Sequence, residues 1–541
     1  MMRRYIRSAP RARVLMSGGA ALAVLTTGGI VATTQVAAST STTAARAADA
    51  VEWTTRTVAP GVQVRSATLA DTTAEPAWTI TVQAPATGHL TGAATWAPVG
   101  TPSWADATAK QLRAAGFRPR VEKVRWPRYT DTPRGTMGAR VRIGSYATQA
   151  DARTAAQEVT AAGFRTAVDW TGYDAEQPAG RQNVHVATVD PRVFKGTVEG
   201  THDGDAADRA TTSSVAVGTG SLVGVNAGFF VTSDADGVQG TTAGLSVDRG
   251  RLESMAAGSR AALIIGDGGR HVRVADLTSS VTVRAGVARH QAQGVNRVPG
   301  LIRNCGRPGG TPSVRPWQDT TCRATDEMVK FTDRFGAPLP TGEGSQVVLD
   351  GAGRVVSAGA RGGTVPAGGT VLQGIGSAAR WLTAHAPTGR RIDVSEVVRD
   401  TEGRRVRLDR DDSVVSAAPT LVRDGRISID AAAEGVVAPS DLSYNYAWAN
   451  ARQPRTMAGV DARGRLLLAT VDGRRSGGSE GMTLQEGAAF MRSLGAVDAL
   501  NLDGGGSTAM AVDGELVNRP SDAAGERAVG DTIQVLPRRA G

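Results

Sequence analysis

The chain has 541 residues, a formal net charge of +10 and two cysteines, a length that accommodates two or three domains with cores of their own. Its basic residues are almost all arginine, lysine being confined to Lys110, Lys123, Lys195 and Lys330, and the six arginines before residue 48 account for more than half of the charge, leaving +4. Scattered cations and a small net charge exclude the electrostatic footprint of a nucleic-acid binder. No stretch beyond the N-terminal one is apolar enough to span a bilayer.

Taken in chain order, residues 1–47 read as a secretory signal peptide. Arg3, Arg4, Arg7, Arg11 and Arg13 precede an apolar stretch from Val14 to Ala32, and cleavage is expected after Ala38 or Ala47. Gly18, Gly19, Gly28 and Gly29 interrupt that stretch and argue against a retained anchor. The mature protein is therefore expected to be secreted or cell-wall associated, with no integral membrane segment. Residues 48–77, with Val64 to Leu69 following Pro60-Gly61, read as the opening strands of the main domain.

Residues 78–173 form a second unit with an internal two-fold repeat. Strand Trp78 to Gln83, helix Ala105 to Ala115 ending at Gly116 and strand Val121 to Val124 are followed by strand Ala139 to Gly144, helix Gln149 to Ala162 ending at Gly163 and strand Thr166 to Trp170. This is a βαβ-βαβ order. With Arg142-Ile-Gly-Ser-Tyr146 before the second helix, the unit resembles the SPOR family of peptidoglycan-binding domains, which present a four-stranded sheet to glycan strands. Trp78, Trp96, Trp104, Trp126 and Trp170 fall here and serve either as a sugar-stacking face or as core filler. Because strands precede and follow it, the unit is expected to be inserted into the main domain.

Residues 181–541 are rich in short β runs with Gly/Asp turns, among them Val184 to Val189, Val223 to Phe230, Gln346 to Asp350 and Arg465 to Val471. One clear helix runs from Leu484 to Leu494, capped by the Thr483-x-x-Glu486 box and stopped at Gly495. The expected fold class is α+β with a large mixed β-sheet. Cys305 and Cys322 flank a Gly/Pro-rich segment; in an exported protein they are expected to pair, closing a loop worth about 3 kcal/mol in the chain-entropy account.

The most telling string is Asn501-Leu-Asp503-Gly504-Gly505-Gly506-Ser507-Thr508. Three glycines let backbone N–H groups approach a ligand closely, beside one carboxylate and two hydroxyls. The string lacks the Lys-Ser/Thr of a P-loop and the helix of a dinucleotide fingerprint. The residues after Thr508 alternate apolar and polar and turn at Asp513-Gly514, so the loop is expected to join two strands. A plain structural turn is the rival reading.

Five segments together resemble the phosphodiester glycosidase family, whose animal member removes N-acetylglucosamine from mannose 6-phosphate diesters: Val225 to Phe230, Pro454 to Gly459, Val471 to Arg474, Asn501 to Thr508, and Asn518 to Asp522 with Glu526-Arg527. The resemblance implies a hydrolase of sugar-1-phosphodiester bonds of the N-acetylglucosamine-1-phosphate type. Cleaving such a bond needs charge stabilisation at phosphate, a carboxylate near the anomeric carbon and a grip on sugar hydroxyls. Asp503, Asp472 and Arg455 are the catalytic candidates. Asn226, Gly228, Arg474, Asn501, Gly504, Gly505, Gly506, Ser507 and Thr508 are the substrate-binding candidates, with Arg455 and Arg474 suited to bidentate phosphate contact. Plainer readings stand beside these: Asp472-Gly473 is also a hairpin signal, Arg455 pairs with a structural acid, Asn226 ends a strand, and Glu486 caps its helix. No Gly-x-Ser-x-Gly elbow leads into a helix at Ser507, and no His-x-x-x-His pair occurs. No cofactor is required, although an oxygen-only site around Asp503 is compatible with Ca²⁺ or Mg²⁺. The expected partners are a carbohydrate phosphodiester and, through residues 78–173, peptidoglycan. The alternative is a non-enzymatic protein that binds peptidoglycan or glycan phosphates.

Overall fold

The computed structural model describes residues 51–86, 95–202, 204–306, 309–438 and 440–538; the leader expected at 1–47 lies outside the described residues. The first eight-stranded sheet runs in the order Thr54–Ala59, Val62–Ala70, Arg181–Val189, Leu466–Val471, Arg455–Asp461, Ala496–Asn501, Thr420–Arg423 and Arg426–Ile427. Its central strands, Leu-Leu-Leu-Ala-Thr-Val and Arg-Thr-Met-Ala-Gly-Val-Asp, are buried at every position, so both faces must be covered. Helix Leu484–Ser493 packs against strands Thr420–Arg423 and Ala496–Asn501. Leu484, Ala488 and Met491 point inward at one-turn spacing, and the Thr483/Glu486 capping box is formed as read from the sequence.

A five-stranded sheet, ordered Thr197–Thr201, Thr532–Leu536, Val223–Asn226, Met510–Val512 and Glu515–Leu516, shares one apolar core with the first through Val223, Val225, Met457, Leu468, Ile533 and Val535. A second eight-stranded sheet and another five-stranded one build residues 246–416, with a further apolar core between them. The fold is α+β, but the strands expected in one large mixed sheet are divided among several. Short hairpin connections make them antiparallel; among the described residues the only parallel ladder joins Gly294–Val295 to Glu327–Thr332.

Residues 78–170 form a four-stranded sheet in the order Pro119–Arg125, Thr136–Tyr146, Trp78–Val82 and Thr166–Trp170. Helices Pro102–Ala114 and Gln149–Ala161 start alike, with Thr101 and Thr148 capping, and end alike, with Gly116 and Gly163 at φ near +90°. Both cover one face, over Ile80, Val82, Val141 and Ile143. Strand Val62–Ala70, which precedes this segment, pairs along its whole length with Arg181–Val189, which follows it. The tryptophans do not form an open face. Trp78 and Trp170 lie against each other at 5.3 Å, the Trp170 indole donates to Glu480, and Trp104 and Trp126 pack on apolar cores. Trp96 alone of the five is largely exposed, at 40%.

Candidate active site

The site forms where the first eight-stranded sheet meets the first five-stranded one. Asn501 ends a central strand of the former and Met510 opens a strand of the latter; residues 502–509 cross between them. Three backbone bonds fix the crossing: Leu502 N to Thr456 O at 2.8 Å, Asp503 N to Ala227 O at 2.9 Å and Gly505 N to Pro454 O at 3.0 Å. Asn226, fully buried, locks it from beneath. Its amide nitrogen donates to Asp503 O at 2.7 Å, and its oxygen accepts from Thr456 Oγ1 at 2.6 Å and Ala509 N at 3.1 Å.

The glycines have separate reasons to be glycine. Gly505 sits at φ +61°, where an added Cβ would lie 3.2 Å from the Arg474 guanidinium. At Gly506 a Cβ would come within 2.1 Å of Arg527 Nη2 and 2.3 Å of Asp522 Oδ1, closer than any side chain tolerates. The bare backbone is what lets two arginines close on the loop.

The resulting cleft has a volume of about 370 Å³, with Asp503, Arg455, Arg474 and Arg527 among its lining residues and Phe229 and Trp448 as an aromatic wall. Asp503 accepts from Gly504 N at 2.9 Å. Burial raises its pKa to about 6, against the opposing pull of the Ser507 hydroxyl, the Gly504 N–H and Arg527. Arg455 donates only to carbonyls, Met482 O at 2.9 Å and Trp448 O at 3.4 Å, and burial pushes its pKa down to about 10. Arg474 donates to Gln453 Oε1 at 2.7 Å and is likewise lowered, first by burial. Neither makes an ion pair among the described residues, whereas Arg527 holds Asp522 at 2.7 Å. Arg474 is exposed, whereas Arg455 is buried; a desolvated cation without a carboxylate partner is costly unless an anion completes it.

The structure brings Asp503, Arg455, Arg474, Asn501 and Gly504 to Gly506 into this cleft and places the other candidates around it. Asn501 donates to Ala418 O at 2.7 Å and Leu502 O at 2.8 Å, while its side-chain oxygen, buried at the cleft, has no partner. Asp472 does not reach the cleft. It is 2% exposed, accepts from Arg519 N at 2.9 Å, and its pKa is raised by burial with His185 opposing. Its position at a strand end turns it toward the 518–519 segment. Gly228 donates its N–H to Asp531 at 2.7 Å, and the hydroxyls of Ser507 and Thr508 are buried. Asn226, Gly228, Ser507 and Thr508 thus support the loop from behind. Glu486 closes the helix cap and holds Arg452 at 2.6 Å. Cys305 and Cys322 are joined in a disulfide.

Comparison with known proteins accords with this arrangement. Residues 343–536 match the family model for phosphodiester glycosidase and residues 97–169 that for the SPOR domain. A crystal structure from Burkholderia pseudomallei K96243, of a protein whose name assigns it to export, superposes with a TM-score of 0.78 at 32% identity, covering 90% of this chain and 96% of that one. Residues 343–536 are a phosphodiester glycosidase domain. The chain is 37% identical over 129 residues (24% of this chain, 23% of the relative) to the N-acetylglucosamine-1-phosphodiester alpha-N-acetylglucosaminidase of Bos taurus. It is 42% identical over 90 residues (16% and 14%) to the SPbeta prophage-derived uncharacterized protein YomE of Bacillus subtilis strain 168. The chain spans less than a quarter of the length of these curated relatives.

Other residues of this cleft escape a reading of the sequence. Phe229 and Trp448 meet edge to face at 5.8 Å although more than two hundred residues separate them. Arg303 and Asp319, from the two sides of the disulfide loop, also line the cleft and are paired to each other. The Cys305/Cys322 signal identified that loop without showing that it reaches the site. Among the described residues no group of three or more His, Cys, Asp or Glu side chains gathers as a metal cage, and no described helix is long and apolar enough to cross a membrane.

Proposed function

We propose that this protein is an exported hydrolase that cleaves sugar-1-phosphodiester bonds of the N-acetylglucosamine-1-phosphate type in cell-wall glycans. The observation that carries the reading is a pair of guanidinium groups without acidic partners in the same cleft as Asp503, Arg455 buried in its wall and Arg474 exposed beside the glycine loop. Phosphate supplies the missing negative charge and accepts their forked N–H groups. The leaving group is then a phosphate monoester, stable as an anion without a proton from an acid, so the arginines carry the departing charge. Asp503 is left to serve the anomeric carbon as a carboxylate, either activating water or stabilising the oxocarbenium-like centre. Trp448 offers a flat apolar platform for the sugar ring, and the free oxygen of Asn501 an acceptor for a sugar hydroxyl or amide.

Export is supported by the leader read at residues 1–47, the disulfide and the name of the Burkholderia relative. The SPOR match supports contact with peptidoglycan, made by a unit inserted between two strands that pair with each other. The test is a screen of the purified full-length mature chain against N-acetylglucosamine-1-phosphodiesters and simple glycosides. Release of sugar from the phosphodiesters alone supports the reading. Saturable binding without product points instead to a glycan-phosphate binding protein.

A further inference from the structure

The helix-free face of the four-stranded sheet carries Thr79 and Thr81 on one strand and Arg140 and Arg142 on its neighbour, each no more than 2% exposed. Asp174, from the segment leading out of the sheet, is set into this face. Its carboxylate accepts from Arg140 Nη1 at 2.5 Å, from Arg142 Nη2 at 3.2 Å and from the Tyr446 hydroxyl at 2.9 Å. Glu122 accepts from Arg142 Nη1 and Glu176 from Arg140 Nη2, each at 3.0 Å, Arg142 Nε donates to Thr81 Oγ1 at 3.2 Å, and Arg140 Nε is left without a hydrogen-bond partner. Val99, Val124 and Met137 pack beside the charges against Leu442 and Tyr446. The two buried guanidinium charges are matched by carboxylates of the same chain, so the face is occupied by the chain itself.

The same contacts hold one short piece of the cleft wall, the π-helical turn Tyr446–Asn450. Tyr446 is tied to Asp174, Asn450 Nδ2 donates to Arg125 O at 2.8 Å, and the Tyr129 hydroxyl donates to Ala449 O at 2.8 Å. Ala447 and Trp448, between these anchors, line the cleft. Two residues on, buried Arg452 donates to the carbonyls of Gly172, Asp174 and Gln177, which fastens the return of the chain to the same segment.

We infer that the helix-free sheet face is an internal docking surface that positions Trp448 at the cleft, so that the SPOR-like unit is a part of the site and glycan is not read on that face. Tyr446 and Asn450 are positioning residues. The kinetic consequence rests on the glycosidase reading above; the structural one does not.

The experiment uses the full chain and the double variant Tyr446→Phe, Asn450→Ala, whose side chains do not line the cleft. In hydrogen-exchange mass spectrometry, amides of 446–450 and of 136–146 should lose protection together in the folded variant. KM for a sugar 1-phosphodiester should rise about five-fold, the scale of a lost hydrogen bond, while kcat stays within about two-fold. Purified sacculi added to the wild-type chain should leave exchange at 136–146 unchanged. Unchanged exchange at 446–450 in the variant, an unchanged KM despite loosening, or new protection of 136–146 by sacculi would overturn the inference. A wild-type chain inactive on every substrate would sink the glycosidase reading alone, with the exchange results still deciding the docking.

Discussion

Asp503→Asn separates the chemistry of the cleft from its cost to folding. In the folded chain the carboxylate titrates at about 6 instead of its ordinary 3.8, because burial penalises the charge. At 1.36 kcal/mol per pH unit the gap is about 3 kcal/mol, reduced toward about 1 kcal/mol by water reaching a half-buried group. The sign comes from proton binding: between pH 4 and 6 the folded chain holds the proton and the unfolded chain has lost it, so this group's contribution to stability falls as pH rises through that window. Asparagine has the same shape, retains an acceptor for Gly504 N–H and carries no charge. The variant should therefore lack turnover yet be more stable than the wild type by about 1–3 kcal/mol at pH 7, with the advantage vanishing below pH 4. Urea unfolding followed by circular dichroism at both pH values measures this. A variant less stable than the wild type at pH 7, or one with an equal advantage at both, would refute the argument that burial strains this carboxylate.

Further predictions concern the same cleft. If Asp503 works ionised, kcat/KM should rise about tenfold per pH unit up to about pH 6 and level off above it; a decline above pH 6 would assign it the opposite, acid role. Arg474→Lys should lower kcat/KM for phosphodiesters about 10–100-fold through loss of the forked contact, leaving any hydrolysis of simple glycosides little changed. Gly506→Ala, whose Cβ would meet Arg527 and Asp522, should reduce activity at least tenfold while the circular dichroism spectrum is retained. Cys305→Ser should lower stability by about 3 kcal/mol by freeing the loop between the cysteines, read as an earlier midpoint in urea unfolding.

Local chemistry made much of the fold legible. The Thr483/Glu486 box, the Gly116 and Gly163 helix stops and the Asp513-Gly514 turn, both residues at positive φ, work through residues a few places apart, and each forms where the sequence places it. The glycine loop, which lines the cleft, was legible as a candidate for the same reason: its carboxylate, glycines and strand ends are contiguous. Asp472 shows the limit. Nothing in Val-Asp-Gly-Arg tells that only Arg474 faces the cleft, because residues two apart on an extended strand share a side, and it is the left-handed backbone at Arg474, φ +56°, beyond the strand end at Val471 that parts them. The aromatic wall was equally hidden, since Phe229 and Trp448 become neighbours only once two sheets stack and the 78–170 unit docks. The buried face of that unit reads on the sequence as an ordinary strand, Ala-Arg-Val-Arg-Ile, and its closure depends on Asp174, thirty residues further along.

The central claim is that the arginine-lined cleft around Asp503 breaks a bond between a sugar and a phosphate. Incubating the folded full-length chain with an N-acetylglucosamine-1-phosphodiester, and monitoring free N-acetylglucosamine against phosphate monoester by mass spectrometry, tests it directly. Equal amounts of both products are expected from the wild type and neither from Asp503→Asn. A folded wild-type chain that binds the diester saturably and leaves it intact would contradict the claim.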